Sequence, residues 1–152
     1  MIIDVKNRSK DKSITTYRLK KICKSVLENL AEIEGLENPE VSVLFIDDDS
    51  MQSLNLKYRK IDSSTDVLSF PMCDGRFPNV GPNILGDIVI SIPYASRQAM
   101  GNNHDLEEEI CHLLIHGFLH LIGYDDEDRV NRDEMLERER ELRSALLQRD
   151  VI

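Results

Sequence analysis

The stretch LEEEICHLLIHGFLHLIGYDD, Leu106 to Asp126, decides how the rest of the chain is read. From Glu107 to Ile122 apolar residues recur almost all round a helical projection, which only a helix buried on most sides tolerates. Asp105, followed three residues later by Glu108, gives a capping-box start, and Gly123 gives a stop. Into this oily helix the sequence places His112, His116 and His120, four apart and so on one face. Side chains at that spacing have Cβ atoms about 5–6 Å from each other, so two imidazoles can converge on one ion at the ~2.0–2.1 Å of a Zn–N bond. After Gly123 the chain turns, and Asp126, six residues past His120, is placed to swing back as a third donor. Six residues past His116 stands Ile122, which cannot ligate, so His112 is expected beside the site, supporting it from behind.

The helical zinc motif HExxH carries a glutamate general base next to its first histidine. Here that position is Gly117, which counts against a zinc protease. A metal with few protein ligands and open positions can still activate water, or act as Lewis acid on a phosphoryl oxygen.

Working outward, IIDVKN at the N-terminus reads as a short strand, and a helix capped by Thr15 or Thr16 follows, with Leu19, Ile22, Cys23, Val26, Leu27 and Leu30 on its buried face. VSVLFI, Val41 to Ile46, is a strand leading into a helix of about ten residues, capped by Ser50 or an aspartate just before it. Arg59 to Thr65 reads as a loop, DVLSFP as a strand ending at Pro71, Cys73 to Asn83 as an exposed turn-rich segment, and GDIVISIP as a further strand. Pro93 suits the first turn of a short helix, and a last helix runs from Arg129 to about Leu147. The expectation is an α+β fold in one domain over residues 1–152: a small mixed sheet of about four strands, covered by about five helices, one of which carries HxxxH.

A chain of 152 residues can bury roughly 68–70% of its unfolded surface, so no disulfide or metal is needed merely to hold the fold. Cys23, Cys73 and Cys111 are odd in number and lack CxxC spacing, which suits free packing thiols in a reducing compartment. No apolar run approaches the ~20 residues of a membrane span, and the N-terminus has no leader pattern, so a cytoplasmic location is expected. The net charge of −9 disfavours a nonspecific polyanion binder. Basic clusters at Lys6 to Lys24 and at Lys57, Arg59 and Lys60 nevertheless leave room for a locally cationic face.

HGFLHLIGYDD resembles the HGxLHLxGYDH signature of the bacterial YbeY family of metal-dependent endoribonucleases. YRKIDSSTDVLSFP, Tyr58 to Pro71, and LGDIVIS, Leu85 to Ser91, resemble two further blocks of that family, in its order and spacing. The resemblance spans roughly residues 41 to 147. It implies a hydrolase specific for single-stranded RNA, acting in rRNA processing, in maturation of the small-subunit rRNA at its 3′ end and in ribosome quality control, with no DNA or membrane partner. It also implies His116 and His120 as metal ligands, His116 being thereby catalytic, and Arg59 as the arginine needed for activity. A guanidinium binds two phosphoryl oxygens at once and stabilises the charge that builds there. Ser69, on the strand beside it, is a candidate substrate contact.

The departure is Asp126, a carboxylate where the family usually has a third histidine. Two histidines and one carboxylate form an accepted zinc set, though the lower charge makes the ion a weaker electrophile and the oxygen donor admits Mn²⁺ or Mg²⁺ beside Zn²⁺. Asp125 matches the family's own aspartate and is either a supporting partner or a competing ligand. Two other readings stay open: a non-catalytic ribosome-assembly or RNA-binding factor with a structural metal, and, from HxxxH alone, a metallopeptidase.

Overall fold

Alternation of side chains along each strand sorts the sheet into two unlike faces, and the helices follow from that. A computed structural model, describing residues 1–72 and 83–152, contains strands β1 (Ile2–Asn7), β2 (Glu40–Ile46), β3 (Val67–Pro71) and β4 (Ile84–Ser91). Its helices are α1 (Thr16–Ile33), α2 (Asp48–Arg59), α3 (Ile92–Gly101), α4 (Leu106–Leu121) and α5 (Arg129–Gln148). The sheet order is β1-β2-β4-β3; β1, β2 and β4 are parallel, and β3 runs antiparallel to β4 at one edge. This is the α+β arrangement, with a mixed sheet and an HxxxH-bearing helix, that the sequence predicts. No helix among the described residues is long and apolar enough to cross a membrane. Cys73 and the turn-rich segment after it lie outside the described residues.

Helix starts follow the capping chemistry in four of five cases. Thr15, rather than Thr16, caps α1 by accepting from the Arg18 N–H at 3.1 Å. Ser91 caps α3 through Tyr94, with Pro93 in the first turn, while Asp105 caps α4 through Glu108 and Asp128 caps α5 through Asn131. The exception is α2. Asp47 holds its N-cap position but accepts from Ser9 Oγ and the Lys10 N–H instead, and Ser50 lies inside the helix. Asp48 and Asp49 in the first turn meet the positive end of the helix dipole and supply the stabilisation a cap would give. At its other end α2 includes Arg59, and Lys60, with φ of 63°, closes it in the left-handed conformation, so the expected loop begins one residue later than the sequence suggests.

Val41, Val43 and Phe45 of β2, with Ile88 and Ile90 of β4, face the main core, where α1, α4 and α5 pack. α4 is the centre of that layer and touches α1, α3, α5, β3 and β4. Its Ile110, Leu114, Phe118 and Leu119 are fully buried, each worth about 1.5–3 kcal/mol relative to exposure. Cys23 and Cys111 lie in this core, and burial pushes both thiols up to about 12, so they stay protonated packing groups. On the opposite face α2 sets Met51 against Ile46, Leu68 and Val89. The rest of that face forms a groove of about 520 Å³ lined by residues that include Lys6, Arg8, Ser42, Tyr58, Phe70 and Asp87.

Gly86 fixes the edge of the sheet. The β2–β4 register slips between Glu40 and Val41, and Gly86 sits there with φ of 141°, where a Cβ would come 2.2 Å from the Phe70 carbonyl oxygen and 3.0 Å from Leu121 Cδ2. No L side chain fits without shifting the backbone of β3. Gly86→Ala should therefore lower unfolding stability by about 2–3 kcal/mol, read from urea midpoints. A loss within about 0.5 kcal/mol, typical of neutral surface changes, would contradict this account of the edge.

Candidate metal centre

The face of α4 that carries His116 and His120 is held against the sheet at a residue with no side chain. A Cβ on Gly117 would lie 3.0 Å from Ile88 Cγ2 and 3.2 Å from Ser69 Oγ, so glycine lets the helix approach β3 and β4 this closely. The Gly117 carbonyl accepts from the Ser69 hydroxyl at 3.3 Å. Ser69, expected as a substrate contact, thus has its hydroxyl engaged with the helix. The glycine that stands where a zinc protease has its glutamate leaves room for the close approach of Ile88 and Ser69.

One turn apart across that contact, His116 and His120 face each other with Nε2 atoms 3.1 Å apart and ring centroids at 4.7 Å. Two nitrogens on a tetrahedral zinc are separated by about 3.3 Å if each bond is ~2.0–2.1 Å, so the pair stands close to ligating distance. The remaining nitrogens are tied back: His116 Nδ1 to Glu139 Oε1 of α5 at 2.6 Å, and His120 Nδ1 to the Tyr124 carbonyl at 3.0 Å. This fixes both rings with Nε2 inward, the outer support that metal-binding histidines ordinarily have. Gly123, with φ of 109°, makes the turn that brings Tyr124 back, its N–H bonded to the Leu119 carbonyl at 3.0 Å.

Beyond that turn Asp126 Oδ2 lies 4.0 Å from His120 Nε2, and His116, His120 and Asp126 form one group whose donor atoms all fall within 4.8 Å. The Asp126 side chain is half exposed, which leaves its carboxylate room to change rotamer toward the pair. Asp125 accepts from the Glu127 N–H at 3.3 Å in a local turn and is not in this group. The residues present fit a divalent cation: two oriented imidazole nitrogens, one carboxylate and a side open to solvent.

Charge in the pair is unequal. Burial, the largest influence on His116, disfavours its charged form, but the Glu139 hydrogen bond and the fields of Glu139, Asp66 and Asp126 outweigh it and raise its pKa above the ordinary histidine value. For His120, burial and then the neighbouring His116 charge dominate and lower it.

His112 is found in a different group from the one expected, and Arg59 lies at the end of α2. His112 lies apart from the pair, its ring edge-on to His104 with centroids 5.1 Å apart, in a separate group with Glu109; burial, then Arg143 and His104, hold its pKa down. Arg59 ends α2 on the other side of β3 from the histidines, beside Tyr58, whose ring meets Phe70 edge-on at 5.0 Å. It has no hydrogen-bond or ion-pair partner among the described residues. Residues that sequence reasoning missed are Glu139 and Asp66. The latter is the second residue of the TDVLSFP block, accepts from the Val67 N–H at 2.7 Å and from Gln98 Nε2 at 3.2 Å, and lies near enough to His116 to act on its charge.

Two histidines and a carboxylate gathered by one helix and its following turn are the kind of donor set that mononuclear metal centres use. Comparison with known proteins is more particular: the profile of the family described as Endoribonuclease YbeY matches residues 4–147, and the chain belongs to that family. An Endoribonuclease YbeY of Aquifex aeolicus is 45% identical over 124 residues, covering 79% of this chain and 81% of its own. One of Desulforamulus reducens is 40% identical over 143 residues, covering 91% and 93%. The solution structure of TM1509 from Thermotoga maritima superposes with a TM-score of 0.60 at 27% identity, covering 93% of this chain and 86% of that one.

Glu139 gives the centre a specific test. Glu139→Gln keeps the size and removes the charge, and should weaken zinc retention by about 10–100-fold in a chelator competition without altering the helical signal. Unchanged retention would mean that His116 is oriented by packing alone.

Proposed function

We propose that this chain, as one domain over residues 1–152, is a metal-dependent endoribonuclease specific for single-stranded RNA. Its proposed work is rRNA processing on the small ribosomal subunit, including maturation of the rRNA 3′ end and ribosome quality control, in the cytoplasm. The observation that carries the reading is the facing Nε2 pair of His116 and His120, each ring tied back through Nδ1. His116, His120 and Asp126 would hold the cation, with Zn²⁺ the first choice and Mn²⁺ or Mg²⁺ admitted by the oxygen donor. Bound there, such an ion supplies Lewis acidity toward a phosphoryl oxygen and makes water a usable nucleophile at neutral pH.

The protein's own part is positioning and charge. Glu139 and the Tyr124 carbonyl keep the two imidazoles aimed, and Gly117 keeps their helix on the sheet. Arg59 carries an unengaged guanidinium at the end of α2 and would neutralise negative charge gathering on the phosphoryl oxygens, which lysine does less well because it lacks the planar two-donor fork. β3 is the outer strand of the sheet, with α4 on one side and the end of α2 on the other. An RNA strand crossing that edge would meet both. Lys6 and Arg8, with the rings of Tyr58 and Phe70, line the groove on the α2 side and suit a single strand, whose bases stack on aromatic faces while its backbone seeks cations.

Two variants separate the roles. His116→Ala should lose metal and RNA cleavage together, whereas Arg59→Ala should keep its metal and lose about 10²-fold or more in rate. Cleavage of a labelled single-stranded RNA by metal-free His116→Ala protein would remove the mechanism. The unusual ligand is tested separately: Asp126→His should hold zinc more tightly against a chelator, and unchanged retention would exclude Asp126 as the third donor.

A further inference from the structure

The N-terminal half of α4 carries a second gathering of donors that the nuclease reading does not use. His104, in the turn before the helix, and Glu109 and His112, one turn apart on it, each present one donor atom, and the three atoms lie within 4.8 Å of one another. Glu109 is only 4% exposed, although Glu108 beside it faces solvent. A carboxylate buried to that degree is rare unless it is paired or ligating. Its Oε1 accepts from Gln98 Nε2 at 3.0 Å, and its Oε2 contacts His104 Nε2. No lysine or arginine among the described residues forms an ion pair with it; the only basic side chain in contact with it is the His104 imidazole.

His112 is the independent observation. Its half-buried ring has no hydrogen-bond partner for either nitrogen among the described residues, although it stands beside a buried carboxylate and a second imidazole. A buried structural pair would be complete with His104, Glu109 and Gln98; a third, unengaged donor aimed into the same space is what a cation would use. Glutamate and histidine three apart on a helix are known to converge on one ion. Partial exposure of His104 and His112 leaves a way in from solvent.

We propose that His104, Glu109 and His112 bind a second divalent cation of the zinc type, apart from the centre at His116 and His120. Two nitrogens and one carboxylate oxygen make a donor set suited to zinc. This cation would clamp the turn after α3 onto the first half of α4. It would also steady the Gln98 amide, which donates to both Glu109 and Asp66. The proposal is independent of whether the chain cleaves RNA.

The full-length protein, stripped with chelator and dialysed against Zn²⁺, is analysed for zinc per chain. Two ions are expected in the unaltered protein, one in His116→Ala, one in His112→Phe, and none in the double variant. Because His112→Phe keeps the ring volume, circular dichroism should show its helices intact; should it fail to fold, Co²⁺ added to the His116→Ala protein provides the second reading. A tetrahedral visible band there, absent in His116→Ala/Glu109→Gln, supports the site. One zinc in the unaltered protein that vanishes in His116→Ala, a count indifferent to His112→Phe, or no cobalt band would overturn it. None of these outcomes is read through RNA cleavage, which tests the nuclease assignment separately.

Discussion

The close approach of α4 to β3 and β4 depends on two missing Cβ atoms, and the metal centre inherits its geometry from that approach. Gly117 on the helix leaves room for Ile88 and Ser69, and Gly86 on the strand leaves room for Leu121 and for the Phe70 carbonyl. HGFLH and LGDIVIS are therefore the two halves of one contact. A side chain at either glycine would lift the helix from the sheet or displace β3, and His116 and His120 would move with it relative to the end of α2. Interiors packed to crystal density do not absorb such shifts locally.

Much of this was legible in sequence because it is encoded locally. Helical periodicity exposed α4 as the buried centre, the i+4 spacing exposed the histidine pair, and Gly123 with the residues after it gave the turn that delivers Asp126. What was hidden is encoded across elements. Glu139 sits in EREREL of α5, where nothing nearby sets it apart from the solvent-facing charges around it; only the packing of α5 on α4 brings it to His116. Glu109 is likewise one of three consecutive glutamates, and which one turns inward depends on the position of Gln98 on α3. The same limit explains His112, which shares a face with His116 but is captured by His104.

The side of the sheet on which α2 packs also follows from alternation. Ser69 and Phe70 point to opposite sides of β3, one to α4 and the other to Tyr58 of α2. A motif read as one block, YRKIDSSTDVLSFP, thus serves two faces of the sheet. Its arginine and the imidazoles would share a substrate across the edge strand without touching each other. A chain-like substrate satisfies that spacing more readily than a small molecule, because successive phosphates of one strand can engage both sides.

Electrostatics give the arginine its weight. Asp126, Glu139 and Asp66 surround the histidine pair, and their combined field already raises His116 against the cost of its burial. Such surroundings favour a cation, and a carboxylate at Asp126 in place of a neutral third imidazole would lower the charge of the loaded centre and weaken the pull the ion exerts on a phosphate. Three carboxylates around a divalent ion leave the neighbourhood with a net negative charge of one, which repels an incoming phosphodiester. The guanidinium of Arg59 at the end of α2, unpaired among the described residues, would offset that balance on the proposed reading. The more acidic such a metal centre is, the more its reaction with RNA would depend on a cation outside it.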